Sequence, residues 1–372
     1  MNIDLIIYPI ILLAAQIFNK QNTAANRLKF IFFCSIVLLL KTSLRSVSVG
    51  SDTCHYAAYF QEMHYRSWNE IFDLFVNRYF VGGLLRGDDD MGYQLVSKIF
   101  SYFIDSFNAF TFIMQGLFFF IPVGKLLNRY CTNIKQIVLA YVLVNALFMG
   151  LPMANARQVY AIGLSILAFL YVIDRKYLKT TFCFLVAVTF HKSVLLAILP
   201  IGLSFVPYVA LMKLMTFVSL FFAPVSLLFS GSVITAMGNF IASDKYASYG
   251  QENATGGAET YIALTFLMAV FCIYVFWKRL GEEDKQFRLL YWMILLTIIF
   301  CPLIHNNGSM IRITMYFQIY FVVLLPLALK KFSTQANIYF NIAITVLIFL
   351  SLMSGGNYIF FWQENQNPYI YW

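Results

Sequence analysis

Eleven long apolar stretches constrain the fold of this 372-residue chain more than any other feature of its sequence. Several approach the ~17 to 20 residues that a helix needs to cross the hydrocarbon core of a bilayer. They cover residues 5–18, 30–40 with an extension to about 47, 107–123, 137–151, 159–173, 181–201, 209–229, 261–277, 289–304, 313–329 and 338–353. The composition agrees, because 60% of the residues are hydrophobic and only 12% are charged. The sequence therefore predicts an all-α, polytopic membrane protein with a single integral membrane domain over residues 1–372.

The Lys and Arg residues of the short connections predict which ends of the spans face the cytoplasm. The basic residues that mark this side are Lys20, Arg27, Lys29, Lys125, Arg129, Lys135, Arg175, Lys176, Lys179, Lys278, Arg279, Lys285, Arg288, Lys330 and Lys331. By the positive-inside rule this side is cytoplasmic. The two longest connections, 46–106 with interfacial helices and 230–260, hold eleven of the seventeen acidic residues and are predicted to lie outside. Because the cations are scattered among loops, we expect no nucleic-acid partner.

The apolar stretch 181–201 does not fit the alternation of sides. An odd number of crossings must separate the basic loop at 175–179 from the outward loop near residue 230, yet two apolar stretches lie between them. A segment that enters from the cytoplasmic side, breaks at His191 and returns would restore the odd count. Broken helices are tolerated where they are buried in protein or line a cavity. We therefore predict about ten transmembrane helices plus a re-entrant or broken helix around His191, with both termini outside. The alternative is a simple span with a buried, hydrogen-bonded His191.

Three arginines, Arg45, Arg157 and Arg312, lie at the outer ends of apolar spans, where the positive-inside rule disfavours cations. Each must be stabilised by something specific, and an outward-facing anion is the simplest candidate. A guanidinium suits a diphosphate because its planar fork donates several hydrogen bonds and stays charged. The alternatives are pairing with a loop carboxylate and extension to lipid headgroups, which would apply to Lys41 as well as to Arg45.

The first outward loop, which reads RSVSVGSDTCHYAAY from Arg45, holds the most candidate chemistry. Gly50 permits a tight turn, and Asp52 precedes a predicted helix that carries Tyr56. Asp52 is therefore a candidate N-cap, a candidate catalytic carboxylate, or both. The three aspartates at 88–90 lack the spacing of a calcium-binding loop. No metal and no cofactor is predicted.

These landmarks together resemble the Wzy-type polysaccharide polymerases, specifically the EpsG-like family of O-antigen and exopolysaccharide clusters. The matching motifs are Arg45 with VGSDT and Tyr56, Asp90 with MGY where the family more often has Glu, Arg157 with Gln158, Phe190-His191 with Ser193, and Arg312 with Tyr316. The resemblance implies a GT-C-like glycosyltransferase that joins undecaprenyl-diphosphate-linked oligosaccharide repeats on the outer face of the bacterial cytoplasmic membrane. It implies these lipid-linked oligosaccharides and membrane lipid as partners, and makes a chain-length regulator a further candidate.

The residues and the resemblance lead to a hypothesis of metal-independent glycosyl transfer. Arg157 and Arg312, with Arg45 as a third candidate, would bind the donor diphosphate and stabilise it as it leaves. Either His191 or Asp52 would accept the proton of the acceptor hydroxyl, and the sequence leaves this choice open. The candidate substrate-binding residues are Tyr56, Asp90, Gln158 and Tyr316.

Two other classes of function fit the same pattern. A transporter or flippase of a lipid-linked glycan would also use broken helices and intramembrane charge, although no internal symmetry between halves is evident. An O-antigen ligase or a sugar-modifying acyltransferase would also use outward basic and histidine residues. The surface glycan of a deletion strain separates these classes. If the deletion strain shows only single repeats, the protein is a polymerase. Polymer retained on the lipid carrier would indicate a ligase, and loss of outward repeats would indicate a flippase.

Overall fold

The protein is described by a computed structural model over residues 2–76, 91–205, 209–240, 258–281, 285–305, 307–333 and 335–370. These ranges fold as helices, and the β-pairing between them is one isolated bridge from Arg45 to Phe360. The α-helices are α1 (Asp4–Phe18), α2 (Ala24–Ser43), α3 (Thr53–Glu62), α4 (Trp68–Val76), α5 (Met91–Ser101), α6 (Phe107–Gln115), α7 (Ile121–Tyr130), α8 (Ile134–Leu143), α9 (Gly150–Ala154), α10 (Ala156–Ile173), α11 (Tyr177–Phe190), α12 (Ile198–Ser204), α13 (Val209–Leu228), α14 (Ser230–Phe240), α15 (Glu259–Phe276), α16 (Lys285–Phe300), α17 (Ile311–Gln318), α18 (Phe321–Phe332) and α19 (Ala336–Ser354). Short π-helical and 3-10 segments join some of them, at Gly116–Phe120, Val144–Phe148, Lys192–Ala197, Trp277–Arg279, Cys301–His305, Gly308–Met310 and Pro368–Ile370.

Six segments of the described chain are long and apolar enough to cross a membrane. They are Phe107–Tyr130, Ala156–Ile173, Val209–Leu227, Glu259–Phe276, Gln286–His305 and Ala336–Ser354. A pair of helices bent by 56°, Gly308–Gln318 with Phe321–Phe332, would form a seventh span, and four shorter apolar helices accompany them. The predicted all-α polytopic membrane fold is confirmed. The count of ten spans stays a prediction.

The basic loops meet at one end of the helix bundle. Arg129 donates to Asp174 at 2.7 Å and to Gln286 at 3.4 Å. The hydrogen bond from Arg129 to Asp174 holds the pKa of the Asp174 carboxyl below its usual range. Thr132 accepts from Lys330 at 3.1 Å, so the connections before α8 and after α18 also lie together. The shared end is the one that the positive-inside rule assigns to the cytoplasm.

The first outward loop and both chain ends meet at the opposite end of the bundle. Near the N-terminus, Asn2 donates to the carbonyl of Leu352 at the end of α19. The segment after α19 then folds across the loop, where the Ser46 amide donates to the Ile359 carbonyl at 2.8 Å. This end is called the outer end below. The outward position of the loop and both termini stays a prediction.

The chain breaks at His191, as the sequence predicts. Helix α11 has 14 residues and is about 21 Å long, which is shorter than the hydrocarbon core. His191 has extended backbone angles, φ −163° and ψ 116°, and the 3-10 segment and α12 follow it. The rings of Tyr177 and Phe205, at the two ends of this segment, lie 6.3 Å apart. The segment therefore returns to the end from which it started, and the alternative of a simple span is wrong.

Helix α10 lies deep in the bundle, with 78% of its residues buried, whereas only 22% of α19 is buried. Gly163 in the middle of α10 packs directly on the π-helical segment that carries Phe118. A Cβ at this position would overlap the Phe118 carbonyl oxygen. Small residues let helix backbones approach in membranes, where close packing drives helix association.

A buried ion pair links four helical segments near the outer end. Lys41 of α2 contacts the Asp4 carboxylate of α1 at 2.5 Å and the Asn145 side-chain oxygen at 2.8 Å. Asn145 and Ser351 complete the arrangement by donating to Asp4 at 3.0 and 3.1 Å. We call these four residues the Asp4–Lys41 cluster. Because Lys41 is only 8% exposed, the idea that it extends to lipid headgroups is wrong.

Replacement of Gly163 by Ala should destabilise the protein by at least the roughly 1–3 kcal/mol typical of overpacking, because a backbone oxygen cannot move aside as a side chain can. The thermal unfolding midpoint of the purified protein measures this. Gly202→Ala in α12 is the matched control, because a Cβ there meets nothing within 4 Å. Equal midpoints for the two variants would contradict the close helix contact.

Replacement of Lys41 by Met should cost about 3–5 kcal/mol, because it leaves the Asp4 carboxylate buried without its cation. The double variant Asp4→Leu with Lys41→Met should recover much of this loss. Thermal unfolding of the two variants in the same detergent tests the expectation. If the double variant were the less stable of the two, the charge pair itself would not be the cause.

Candidate functional site

Arg45 is buried at the outer end and binds groups of its own chain. Its guanidinium donates to the carbonyls of Thr42 and Val49 and to the Thr53 hydroxyl, the last two at 3.2 and 3.3 Å. Its own carbonyl accepts from Asn108 of α6 at 2.9 Å. Arg45 therefore holds the loop between α2 and α3 in shape. Extension of this side chain to lipid headgroups is wrong, since the residue is 4% exposed.

The same loop rests on the turn between α9 and α10. Gly50 has φ +100°, which favours glycine, and a Cβ there would overlap the Met153 carbonyl oxygen. The Thr53 hydroxyl contacts the carbonyls of Val49 and Met153, each at 2.8 Å. These contacts fix Asp52, which lies between Gly50 and Thr53, beside the start of α10.

Asp52 occupies the N-cap position of α3, but its side chain makes no capping hydrogen bond. Its carboxylate instead accepts from Arg312 of α17 at 3.4 Å, so a loop carboxylate does pair with this arginine. The side chains of Asp52 and Arg312 are 32% and 24% exposed. The ion pair is therefore long and reachable from outside the protein.

Arg157 lies against Tyr56. Its guanidinium carbon is 5.7 Å from the Tyr56 ring centroid. Burial raises the pKa of Tyr56, whereas Arg157 lowers it and the charges of Asp52 and Arg312 also act on it. The Tyr56 backbone carbonyl accepts from the Tyr93 hydroxyl at 3.2 Å. Tyr56 thus lies among both arginines and the aspartate.

Both arginines belong to the first turn of a helix. Arg157 is the second residue of α10, and Arg312 is the second residue of α17. The two turns are joined because Gln158 donates to the Arg312 carbonyl. A helix N-terminus carries partial positive charge and favours anions, so a cation placed there adds to an unfavourable field. Two such ends with two guanidinium groups produce a positive region that an anion would stabilise.

His191 lies at the apex of the hairpin, next to α17. The Ser193 hydroxyl is 2.7 Å from His191 Nδ1 and donates to the Tyr316 hydroxyl at 3.2 Å. Ser193 and Tyr316 are fully buried, and Tyr316 is one turn after Arg312 on the same helix. Through α17, the histidine is therefore connected to the positive region.

The hydroxyl protons of this chain are linked to the histidine tautomer. When the Ser193 hydroxyl donates to Tyr316, its oxygen can accept from His191 Nδ1. With Nδ1 protonated, the neutral ring has Nε2 as its acceptor nitrogen, which is the form that a general base requires.

The structure thus brings together most of the residues that the sequence singled out. Arg157, Arg312, Asp52 and Tyr56 share one site, Gln158 joins its two helix ends, and Tyr316 connects it to His191. Arg45 contacts the site indirectly, through Thr53. Asp90 lies outside the described residues. Thr53, Tyr93 and Ser193 belong to the motifs that carried the resemblance, but the sequence assigned them no role. Asn108 was missed altogether.

Fold and site together define a polytopic membrane protein with an arginine-lined site at the outer end of its helix bundle. The model of the EpsG family matches residues 27–369. The chain belongs to this family, which is the family of exopolysaccharide or Wzy-like polymerases. No curated protein and no solved structure matches the chain. The resemblance inferred from the short motifs is confirmed.

Proposed function

We propose that the protein polymerises undecaprenyl-diphosphate-linked oligosaccharide repeats at the outer face of the bacterial cytoplasmic membrane. The observation that carries this proposal is the convergence of Arg157 and Arg312, each in the first turn of a helix, around Tyr56. A dianionic group at the lipid boundary is what such a region would stabilise best. Family membership supports a polysaccharide polymerase and agrees with the proposal.

The substrate diphosphate would replace Asp52 as the partner of Arg312. The ion pair is long and partly exposed, so an entering anion with several oxygens can displace the carboxylate. Arg157, which lies against Tyr56, would bind the same group. Because neither cation needs to be brought in during the reaction, the site is preorganised for charge on the leaving group. The role of Arg45 is then to hold the loop that carries Asp52.

The reaction forms one bond and breaks one bond. The anomeric carbon of the donor repeat bonds to a hydroxyl oxygen at the non-reducing end of the acceptor repeat, and its bond to the diphosphate oxygen breaks. Undecaprenyl diphosphate leaves with the electron pair, stabilised by Arg157 and Arg312. The hydroxyl proton passes to a base. His191 Nε2 is the candidate that the Ser193 hydrogen bond prepares for this role, while Asp52 is neutralised by Arg312 until substrate binds.

A transporter or ligase would also bind a lipid diphosphate, so the decisive test follows the product. In a deletion strain complemented with the wild-type gene, surface glycan should regain its full range of chain lengths. A deletion strain that shows only single repeats supports polymerisation. Full-length polymer held on the lipid carrier would instead indicate a ligase, and loss of outward repeats a flippase.

Arg157→Lys and Arg312→Lys should each lower polymerisation about 10²- to 10³-fold, because the ammonium keeps the charge but loses the fork that holds two phosphate oxygens. Chain-length profiles of surface glycan measure the effect in cells with equal protein levels. Arg129→Lys is the matched control, since Arg129 binds Asp174 at the opposite end of the bundle. Near-normal polymer in both site variants would refute the diphosphate clamp.

Removal of the general base should slow turnover about 10²- to 10⁴-fold. If His191 is the base, added imidazole should restore part of the activity of His191→Ala in a purified system with lipid-linked repeats. Formate should not restore the activity of Asp52→Ala in the same assay. Ser193→Ala should reduce turnover about tenfold, because it removes the group that orients the ring.

The opposite pattern of rescue, formate for Asp52→Ala and no effect of imidazole, would assign the base to Asp52. The Ser193–Tyr316 pair would then serve only to pack the core and would not orient a general base. Both variants retain the arginines, so diphosphate binding remains measurable in either case.

A further inference from the structure

The segment after α19 crosses the outer end as an ordered arm. Tyr358 donates to the Lys41 carbonyl at 2.6 Å, and the Phe361 amide donates to the Leu44 carbonyl at 2.9 Å. Glu364 accepts from Ser46 at 3.0 Å and from Ser48 at 2.5 Å. The 3-10 segment Pro368–Ile370 then lies against α3, the helix of Tyr56. The arm is therefore attached along its length to the loop that carries Asp52.

The chemistry of this arm is unusual for a membrane protein surface. Residues 355–370 contain five amide side chains, five aromatic side chains and one charge. That charge belongs to Glu364, whose carboxylate binds the two serines. Trp362 stacks on Phe360 with ring centroids 4.4 Å apart and an angle of 14° between the planes. Trp362 and Tyr369 are nevertheless 60% and 52% exposed.

A cavity of about 470 Å³ opens beside the stacked rings. Its lining includes Asn357, Phe360 and Gln363. This volume lies within the ~300–1,000 Å³ common for ligand sites, and the exposed amides supply both donors and acceptors. We call the surface formed by Asn357, Phe360, Trp362 and Gln363 the arm platform.

We infer that the arm platform binds an uncharged stretch of oligosaccharide. Sugar rings present apolar C–H faces that stack on aromatic rings, and hydroxyl groups that amides can bind in either direction. An anionic ligand would need cations, and residues 355–370 contain none. Aromatic belts at the lipid interface use Trp and Tyr rings. The five amide side chains of residues 355–370 add hydrogen-bonding groups that match the hydroxyl groups of a glycan, which makes a lipid partner the less suitable occupant.

This inference rests on the proposed polymerase function and extends it to substrate recognition. The arm is joined to the Asp52 loop by Glu364 and Gln366, so a glycan on the platform lies next to the site that would elongate it. A platform of this kind retains the glycan between successive additions. Its loss should shorten the product without removing the chemistry.

The test compares Trp362→Ala, Trp362→Phe and Phe103→Ala in the full-length protein. The probe is surface polysaccharide purified from the producing strain and cleaved to short oligosaccharides, titrated by calorimetry into protein in lipid nanodiscs. Trp362→Ala should weaken binding about tenfold and shift surface glycan to shorter chains. Trp362→Phe keeps a ring and should retain most of the binding. Phe103→Ala should behave as wild type, because it removes an aromatic side chain that is 81% exposed but lies outside the arm platform.

Unchanged oligosaccharide binding and chain length in Trp362→Ala, together with loss of polymer in Arg157→Lys, would overturn the platform and leave the proposed function intact. Full-length polymer held on the lipid carrier in the deletion strain, or loss of outward repeats there, would overturn the proposed function, whatever the platform binds. If Trp362→Ala lowered the thermal unfolding midpoint in nanodiscs of phosphatidylethanolamine and phosphatidylglycerol but left oligosaccharide binding unchanged, the arm would be a lipid anchor and the inference would fail.

Discussion

The requirement that buried backbone groups find hydrogen-bond partners without water governs this bundle. The chain departs from regular helix at His191, at the Cys301–His305 and Gly308–Met310 segments, and at the turn between α9 and α10. At several of these places side chains provide the hydrogen bonds that the irregular backbone lacks. Gln115 donates to the Pro152 carbonyl at 2.6 Å, and Thr53 contacts the Met153 carbonyl. The irregular backbone that results is what places two helix N-termini and a histidine near one another.

The positive region owes its character to position more than to the number of cations. Arg157 and Arg312 add to the field of the helix ends that carry them, and Asp52, the carboxylate that pairs with Arg312, is partly exposed. Arg45 has the same sequence context but a different role, since backbone carbonyls occupy its guanidinium. Three arginines at equivalent ends of apolar spans therefore divide into two that can receive a ligand and one that shapes the loop.

Sequence patterns were informative where they reflect local or membrane-wide physics. Hydropathy and the positive-inside rule predicted the helical class and the grouping of basic loops, and the parity of crossings located the break at His191. Long-range pairings were beyond reach, because Asp52 and Arg312 are 260 positions apart and no pattern in one sequence joins them. Lys41 was misjudged for the same reason, since its partners Asp4 and Asn145 lie 37 and 104 positions away. Asp52 illustrates an intermediate case, because its N-cap position was foreseeable but the direction of its carboxylate was not.

The Asp4–Lys41 cluster reaches beyond the segment that defines the family. The matched residues begin at 27, whereas the acid that neutralises Lys41 comes from α1. A chimera assembled at the family boundary would combine an ammonium group from one parent with whatever first helix the other parent supplies. Exchange between relatives should therefore treat the first helix and the bundle as one inseparable unit, and an expression fusion that displaces α1 would leave the buried Lys41 ammonium group without its carboxylate partner.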